Sequence, residues 1–329
     1  MTSDPDLLVI GDCNPDVLVL GDDVTPEFGQ QEKLVADINL VIGGSAAITA
    51  VAAARLGLRV ALVAAVGADA AGELMMSLLA AEGVDVSAIS VRPGCHTGMT
   101  VALSRGADRA ILTALGAMPT LTAADVPGEL VQRARHVHAS SYFLLEESLG
   151  PGLAGLFASA RGAGATTSVD TNWDPRGRWG DGQLRAVLQE ADVLLPNEAE
   201  AIQLSGTASV ADAAQTLTAL GPSVVMKRGA SGALCTDGTR SHWVDPAPIA
   251  EAVVDTTGAG DCFNAGVIAG LLRGWHLPEA ARLGCAVGTA STRAAGGTSA
   301  APTVSTALAL AERVRVTATN DGPIAAASA

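Results

Sequence analysis

The chain has 329 residues, 49% of them apolar and only 3% aromatic, so a sizeable core must be packed mainly by Ala, Val and Leu. Its 34 Asp and Glu against 20 Lys and Arg leave a net charge of −14, which excludes the basic footprint of a nucleic-acid or anionic-membrane binder. A phosphorylated ligand, which needs only a local anion site, is not excluded.

Cys13, Cys95, Cys235, Cys262 and Cys285 are scattered and form no C-x-x-C pair. That speaks against a zinc ribbon or a disulfide framework and for a reducing cytoplasm. The MTSDPD start lacks a basic segment leading into an apolar one, so no signal peptide is expected, and no apolar stretch approaches a membrane span.

In chain order, short runs rich in Val, Leu and Ile alternate with longer helical patterns. Strands are expected at 7–10, 60–66, 136–140, 166–170, 193–195 and 223–226, with helices at 45–56, 70–82, 151–161, 198–204 and 210–220. The last third turns helical, at 261–273, 278–293 and 304–314. Continuous apolar strands alternating with helices indicate an α/β domain with a mostly parallel sheet covered on both faces. Two stretches, 16–42 and 97–115, are strand-patterned without helices, and the second reads as a hairpin turning at Gly106-Ala107-Asp108. Together they are expected to form a small β lid. One domain is expected over 1–316, followed by a disordered Ala- and Ser-rich tail from about Thr317 to 329.

The strongest chemical signal is the string Asp255-Thr-Thr-Gly-Ala-Gly-Asp261, followed by CFNAGVIAGLLRG. Glycines permit a tight turn, and successive N–H groups at a helix start form an anion cradle. A carboxylate beside a phosphate site is a poor binding group but a sensible base for an attacking hydroxyl. On its own, a G-x-G-D string is more often a turn and a helix cap. A dinucleotide fingerprint is ruled out because Phe263 stands where the third glycine belongs. A Walker loop fails too: the two lysines, Lys33 and Lys227, do not end a glycine-rich loop.

That string resembles the D-T-x-G-A-G-D signature of the ribokinase-like (phosphofructokinase-B) carbohydrate kinases, and other pieces follow in the family's order. Gly11-Asp12-Cys13-Asn14-Pro15-Asp16 is similar to its opening G-x-x-N-x-D, and Gly43-Gly44 with SAAITAVAAARLG to its first signature. VGADAAGE matches V-G-x-D-x-x-G, Asn197 to Glu200 matches N-x-x-E, and Lys227-Arg228-Gly229 with Gly232 resembles the nucleotide-side turn. The resemblance runs from about Leu7 to Val314 and implies a three-layer αβα fold with a β lid. It also implies ATP-dependent phosphorylation of a sugar or sugar-like hydroxyl, with Asp261 as base and the amides of Gly258, Ala259 and Gly260 as anion hole. Asp16, Gly43, Gly44 and Asn172 would hold the acceptor. Asn197, Lys227, Gly229, Gly232, Gly258 and Gly260 would meet ATP, and Glu200 would organise magnesium indirectly. A potassium-like ion is implied near Asp255, Thr257 and 293–297, and a homodimer through the lid. The first signature departs at Ile48, where relatives commonly carry an Asn that contacts the sugar, so Ile48 is assigned no binding role.

Simpler readings stand beside these. Asp16 alone is a turn residue, and Asn197 with Glu200 alone is a helix cap. His136 and His138 share a strand face but lack a third ligand, so packing is favoured over metal. Cys262 at a helix start reads as a buried, inert thiol. A nucleoside kinase on the same frame, or a silent sugar- or nucleotide-binding protein, remain the alternatives.

Overall fold

The computed structural model describes residues 4–105, 108–180 and 182–319. Six parallel strands lie in the order Val60–Val63, Leu7–Ile10, His136–Ala139, Thr166–Val169, Val193–Leu194 and Ser223–Lys227. Three antiparallel strands, Ala233–Thr236, Ser241–Val244 and Val316–Ala318, complete a nine-stranded sheet. Runs such as LLVI and VALV are buried along their whole length because helices cover both faces. One face packs under Ser45–Arg55, Ala259–Leu272 and Leu277–Ser291, the other under Gly150–Gly162, Gly182–Glu190 and Val210–Thr218. This is the three-layer arrangement expected from the alternating pattern.

Some expectations need correction. The run 60–66 is two strands: Val60–Val63 joins the main sheet, while Ala65–Gly67 pairs with Ser90–Arg92 in a separate ribbon. The expected disordered tail begins instead with ordered residues, since Thr317 pairs with Trp243 in the edge strand. Residues 320–329 lie outside the described residues, as does the expected hairpin tip at Gly106-Ala107.

The two helix-free stretches meet in a four-stranded lid, ordered Asp37–Gly43, Asn14–Leu20, Met99–Arg105 and Asp108–Ala114. Residues paired across strands share a face. Asp16, Val41, Thr100 and Thr113 therefore line one side, and Val17, Leu40, Val101 and Leu112 the other. The second side continues with Val19, Ile38 and Leu103, so it is apolar in every position named. On it Ile38, Leu40 and Leu112 are 59%, 53% and 64% exposed.

Candidate active site

The site forms where the parallel strands end, the usual ligand edge of such sheets. After Leu7–Ile10 the chain enters Asp12, whose carboxylate accepts from Ser45 N (3.0 Å) and Ala46 N (2.9 Å). Asp12 thereby caps the helix Ser45–Arg55, whose own cap residue, Gly44, has no side chain and a φ of 84°. Asp16 is fixed by Asn14, whose Nδ2 donates to Asp16 Oδ1 at 2.9 Å and to Thr100 Oγ1 at 3.2 Å. Across the lid, a Cβ on Gly43 would fall 1.9 Å from Asp16 Oδ1, so only glycine leaves the carboxylate its place. Asp16, Gly43 and Gly44 are thus brought together, as the sequence suggested.

The glycine string forms the start of the helix Ala259–Leu272. Gly258, at φ 70°, is its cap residue, and a Cβ there would meet Gly297 Cα at 2.5 Å and Ile48 Cγ2 at 3.1 Å. Ile48 is 3% exposed and packs beneath this loop, against Gly258 and Gly297. Its departure from the family pattern is therefore a packing contact under the glycines. The loop's other side is clamped by Asp255, whose Oδ1 accepts from Thr257 N (2.9 Å) and Oγ1 (2.8 Å) and whose Oδ2 accepts from Gly296 N (2.9 Å).

Asp261 sits in the first helical turn, half-buried, with Thr49 Oγ1 donating to its carbonyl at 3.3 Å. Burial pushes its carboxyl well above the ordinary 3.8 and repulsion from Asp170 adds to this. Lys227 pulls it down, Asp12 pushes it up, and a hydrogen bond from Ser45 lowers it somewhat. A carboxylate raised in this way accepts a proton more readily than one in water.

Three strand or helix ends converge beside it. Lys227 Nζ pairs with Asp170 Oδ2 and donates to Asn264 Oδ1 at 3.3 Å, while Asn264 Nδ2 donates to Asp170 Oδ2 at 2.6 Å. Burial alone would lower the Lys227 pKa, but Asp170 and Glu200 reverse the sign and leave it raised. Asn172, at φ 56°, bridges Ser141 N (3.0 Å) and Ser45 Oγ (2.7 Å), tying the Asp170 strand to the Asp12-capped helix. Asn197 and Glu200 form a reciprocal capping box, and Asn197 forms a bridge with Lys227. Burial and Asp170 raise Glu200 to about 7. Gly232, at φ 79°, closes the turn that follows Lys227; a Cβ there would meet Val244 O at 2.0 Å. Gly229 lies in the same turn at φ 52°.

The model of the "pfkB family carbohydrate kinase" matches residues 4–304. The chain belongs to this family. It is an ATP-dependent carbohydrate kinase, a phosphotransferase with an alcohol group as acceptor. It is 30% identical over 308 residues to the ribokinase of Haemophilus influenzae, covering 90% of this chain and 95% of that one. Its fold matches an Arabidopsis thaliana ribokinase complexed with ribose and ATP, at a TM-score of 0.78 and 24% identity over 94% of this chain and 99% of that one. It also matches an Escherichia coli protein assigned as ribokinase II in complex with ATP and Mg2+, at a TM-score of 0.82, 24% identity and the same coverage.

In this carbohydrate kinase the reading by spacing did not give Asp12, Ser45 or Asn264 a role, although each touches the site. Asp12 lay inside the quoted opening motif, and Asn264 stands three residues after Asp261, on the same helical face. The turn after Lys227 closes through Arg228 N on Gly232 O, while the Lys227 amine meets Asp170 and Asn264 instead of that turn. His136 and His138 make hydrogen bonds to Thr166, Ser168 and Ser140, and burial depresses them to about 3 and 4. Cys262 donates to Gly297 O at 3.2 Å, and burial pushes its thiol up to about 12. Among the described residues no helix is long and apolar enough to cross a membrane.

Proposed function

We propose that Asp261 is the general base in the transfer of the γ-phosphoryl group of ATP to a hydroxyl of a sugar or sugar-like acceptor. The observation that carries this reading is the raised Asp261 carboxyl directly behind the glycine loop at the start of a long buried helix. The acceptor oxygen attacks phosphorus in line, its proton passes to the Asp261 carboxylate, and the bond to the bridging oxygen breaks to release ADP. The amides of Gly258 and Gly260 take the charge on the transferring group, whereas that of Ala259 donates to Thr256 O at 3.2 Å and joins them only by giving up that bond. Asp16, held by Asn14 and cleared by Gly43, binds acceptor hydroxyls together with Gly44 and Asn172. ATP runs from Gly258 and Gly260 past Lys227 and Asn197 to the turn at Gly229 and Gly232.

Magnesium fits this site as a companion of the triphosphate. Among the described residues no group of three His, Cys, Asp or Glu could hold a metal by itself, and a Mg2+ ion commonly keeps several waters and phosphate ligands. Glu200, buried and raised to about 7, would face it through water. When bound, the ion neutralises the phosphate charge. A potassium-like ion would lie by the loop that Asp255 and Thr257 clamp to Gly296. The scattered cysteines favour a cytoplasmic setting.

Asp16→Ala tests the acceptor assignment. Acceptor affinity is expected to fall by about tenfold or more, the scale of about 1.5–3 kcal/mol for hydrogen bonds to a charged group, while ATP affinity stays put. Calorimetry giving an unaltered acceptor affinity would remove Asp16 from the site.

The apolar outer face of the lid is read as a self-association surface, since exposed Ile38 and Leu40 on one edge strand and Leu112 on the other flank Val17 and Val101 on the same apolar face. The expected species in sedimentation is a dimer that Leu40→Asp with Leu112→Asp converts to a monomer. A wild-type chain that sediments as a monomer at every concentration tested would sink that reading.

A further inference from the structure

We infer that Asp170 and Asn264 are positioning residues that hold the Lys227 ammonium over the glycine loop, where it supplies positive charge to the phosphoryl group in transfer. This rests on the reading of Gly258 to Asp261 as the phosphoryl site. Three elements converge to make the arrangement. Lys227 ends the strand Ser223–Lys227, Asp170 directly follows Thr166–Val169, and Asn264 lies one turn into Ala259–Leu272.

The geometry goes beyond a stray ion pair. A methyl group added at Gly260 would lie 3.6 Å from both Cδ and Nζ of Lys227, so the amine stands within one side-chain atom's reach of the loop read as the anion hole. A lysine ammonium has three N–H donors. Asp170 and Asn264 each accept from it, and the charges of Glu200 and Asp261 also act on it. Asp170 is itself fixed, by Asn264 Nδ2 on one oxygen and by Asn172 N (3.1 Å) on the other. The Asp170 and Lys227 side chains are 2% and 12% exposed, and Asn264 is fully buried.

A lysine loses much rotamer freedom when it is ordered, so a free one would be a poor fixed charge. Here the cost is met before any ligand arrives, because a buried carboxylate and amide already fix the stem. The protein's other lysine, Lys33, is tied to Asp23 and Glu27. The arrangement therefore gives the protein, from a strand end, the phosphate-facing lysine that P-loop enzymes carry in the loop itself. If instead the trio merely stabilises the fold, its loss should lower the melting temperature and leave turnover per folded molecule unaltered.

The experiment uses the full chain, Mg-ATP, and whichever acceptor gives the fastest ADP release in a panel of neutral sugars, sugar acids and nucleosides. Lys227→Met combined with Asp170→Asn removes both charges together and strands neither. Its kcat is expected to fall roughly 10²–10³-fold, the scale for losing one oxyanion-hole donor, with the acceptor KM within a few-fold of wild type. Asn264→Ala keeps both charges but removes the amide that bonds both the amine and Asp170, and is expected to lose at least about tenfold in kcat with little movement in either KM. Near-normal kcat in the folded double variant overturns the role of the ammonium, and near-normal kcat in folded Asn264→Ala overturns the positioning.

A variant that melts below the assay temperature is replaced by Lys227→Ala with added ethylammonium. Saturable recovery of turnover is expected there, and no recovery overturns the inference. Asp261→Asn is assayed alongside. If it is impaired while the double variant is normal, only this inference fails; if Asp261→Asn is also normal, the reading of the site itself fails.

Discussion

Asp261→Asn is expected to keep its fold and its ATP affinity and to lose roughly 10²–10⁴ in kcat, the range for removal of a general base. Asn and Asp cap helices about equally well, so a residue present only to satisfy the first helical turn should tolerate the exchange. An amide cannot take up the acceptor's proton. The exchange also removes a carboxyl whose burial and repulsion from Asp170 already disfavour its ionised form, so the folded state should be no less stable. A thermal melt and an ATP titration beside kcat separate the two roles. An Asn variant that turns over at nearly the normal rate would remove the base and leave only the cap.

Gly258→Ala is expected to be the most damaging change in the loop. At φ 70° an alanine pays about 1–2 kcal/mol for the left-handed conformation. Its Cβ would also stand 2.5 Å from Gly297 Cα, which is backbone and cannot rotate away. The loop must shift, and the amides that receive the transferring phosphoryl group shift with it. A loss of about 10²–10³ in kcat is expected, as for loss of an oxyanion-hole donor. Gly57→Ala separates strain from displacement, because Gly57 has φ 85° and nothing within 4 Å of its Cβ position. That variant should melt a few degrees lower and turn over normally. Equal kcat losses in the two, or none in Gly258→Ala, would mean that the close approach to Gly297 does not govern the loop.

The layered core was legible because its signal is local. A buried strand such as LLVI needs no partner to be recognised, and Ser45–Arg55 and Ala70–Ala81 follow the small-residue and apolar spacing of covered helices. The hairpin Ala233–Thr236 with Ser241–Val244 was not anticipated, although Asp237-Gly238 between the two strands is a recognised turn signal. Its first strand is short and reads as a continuation of the glycine-containing turn before it. The break at 64 that divides the run 60–66 is set by which neighbour each half pairs with, and nothing in the local pattern marks it.

In the site, what belonged to one contiguous motif was readable, and what depends on distant contacts was not. The pairing of Asp16 with Gly43 was suggested by two motifs, but the reason for the glycine, a carboxylate lying where its side chain would be, needs the lid register. Lys227 was assigned from its turn, whereas its amine is placed by Asp170 and Asn264, 57 and 37 residues away in sequence. Ile48 looked like a lost sugar contact. In the fold it is the residue that packs against the glycines at 258 and 297, a role that no spacing rule could reveal.

The base assignment is tested most directly by the rate of phosphoester formation at limiting acceptor, followed from acid to neutral pH in wild type and Asp261→Asn side by side. A base must be ionised to act, so the wild-type rate should fall as pH drops through the folded-state value of its carboxyl. Because burial and Asp170 raise that value well above 3.8, the fall should come at a higher pH than for an ordinary carboxylate. The account predicts this acid limb in the wild type and a low rate without that limb in Asp261→Asn. An Asn variant with the same limb and a near-normal plateau would contradict it.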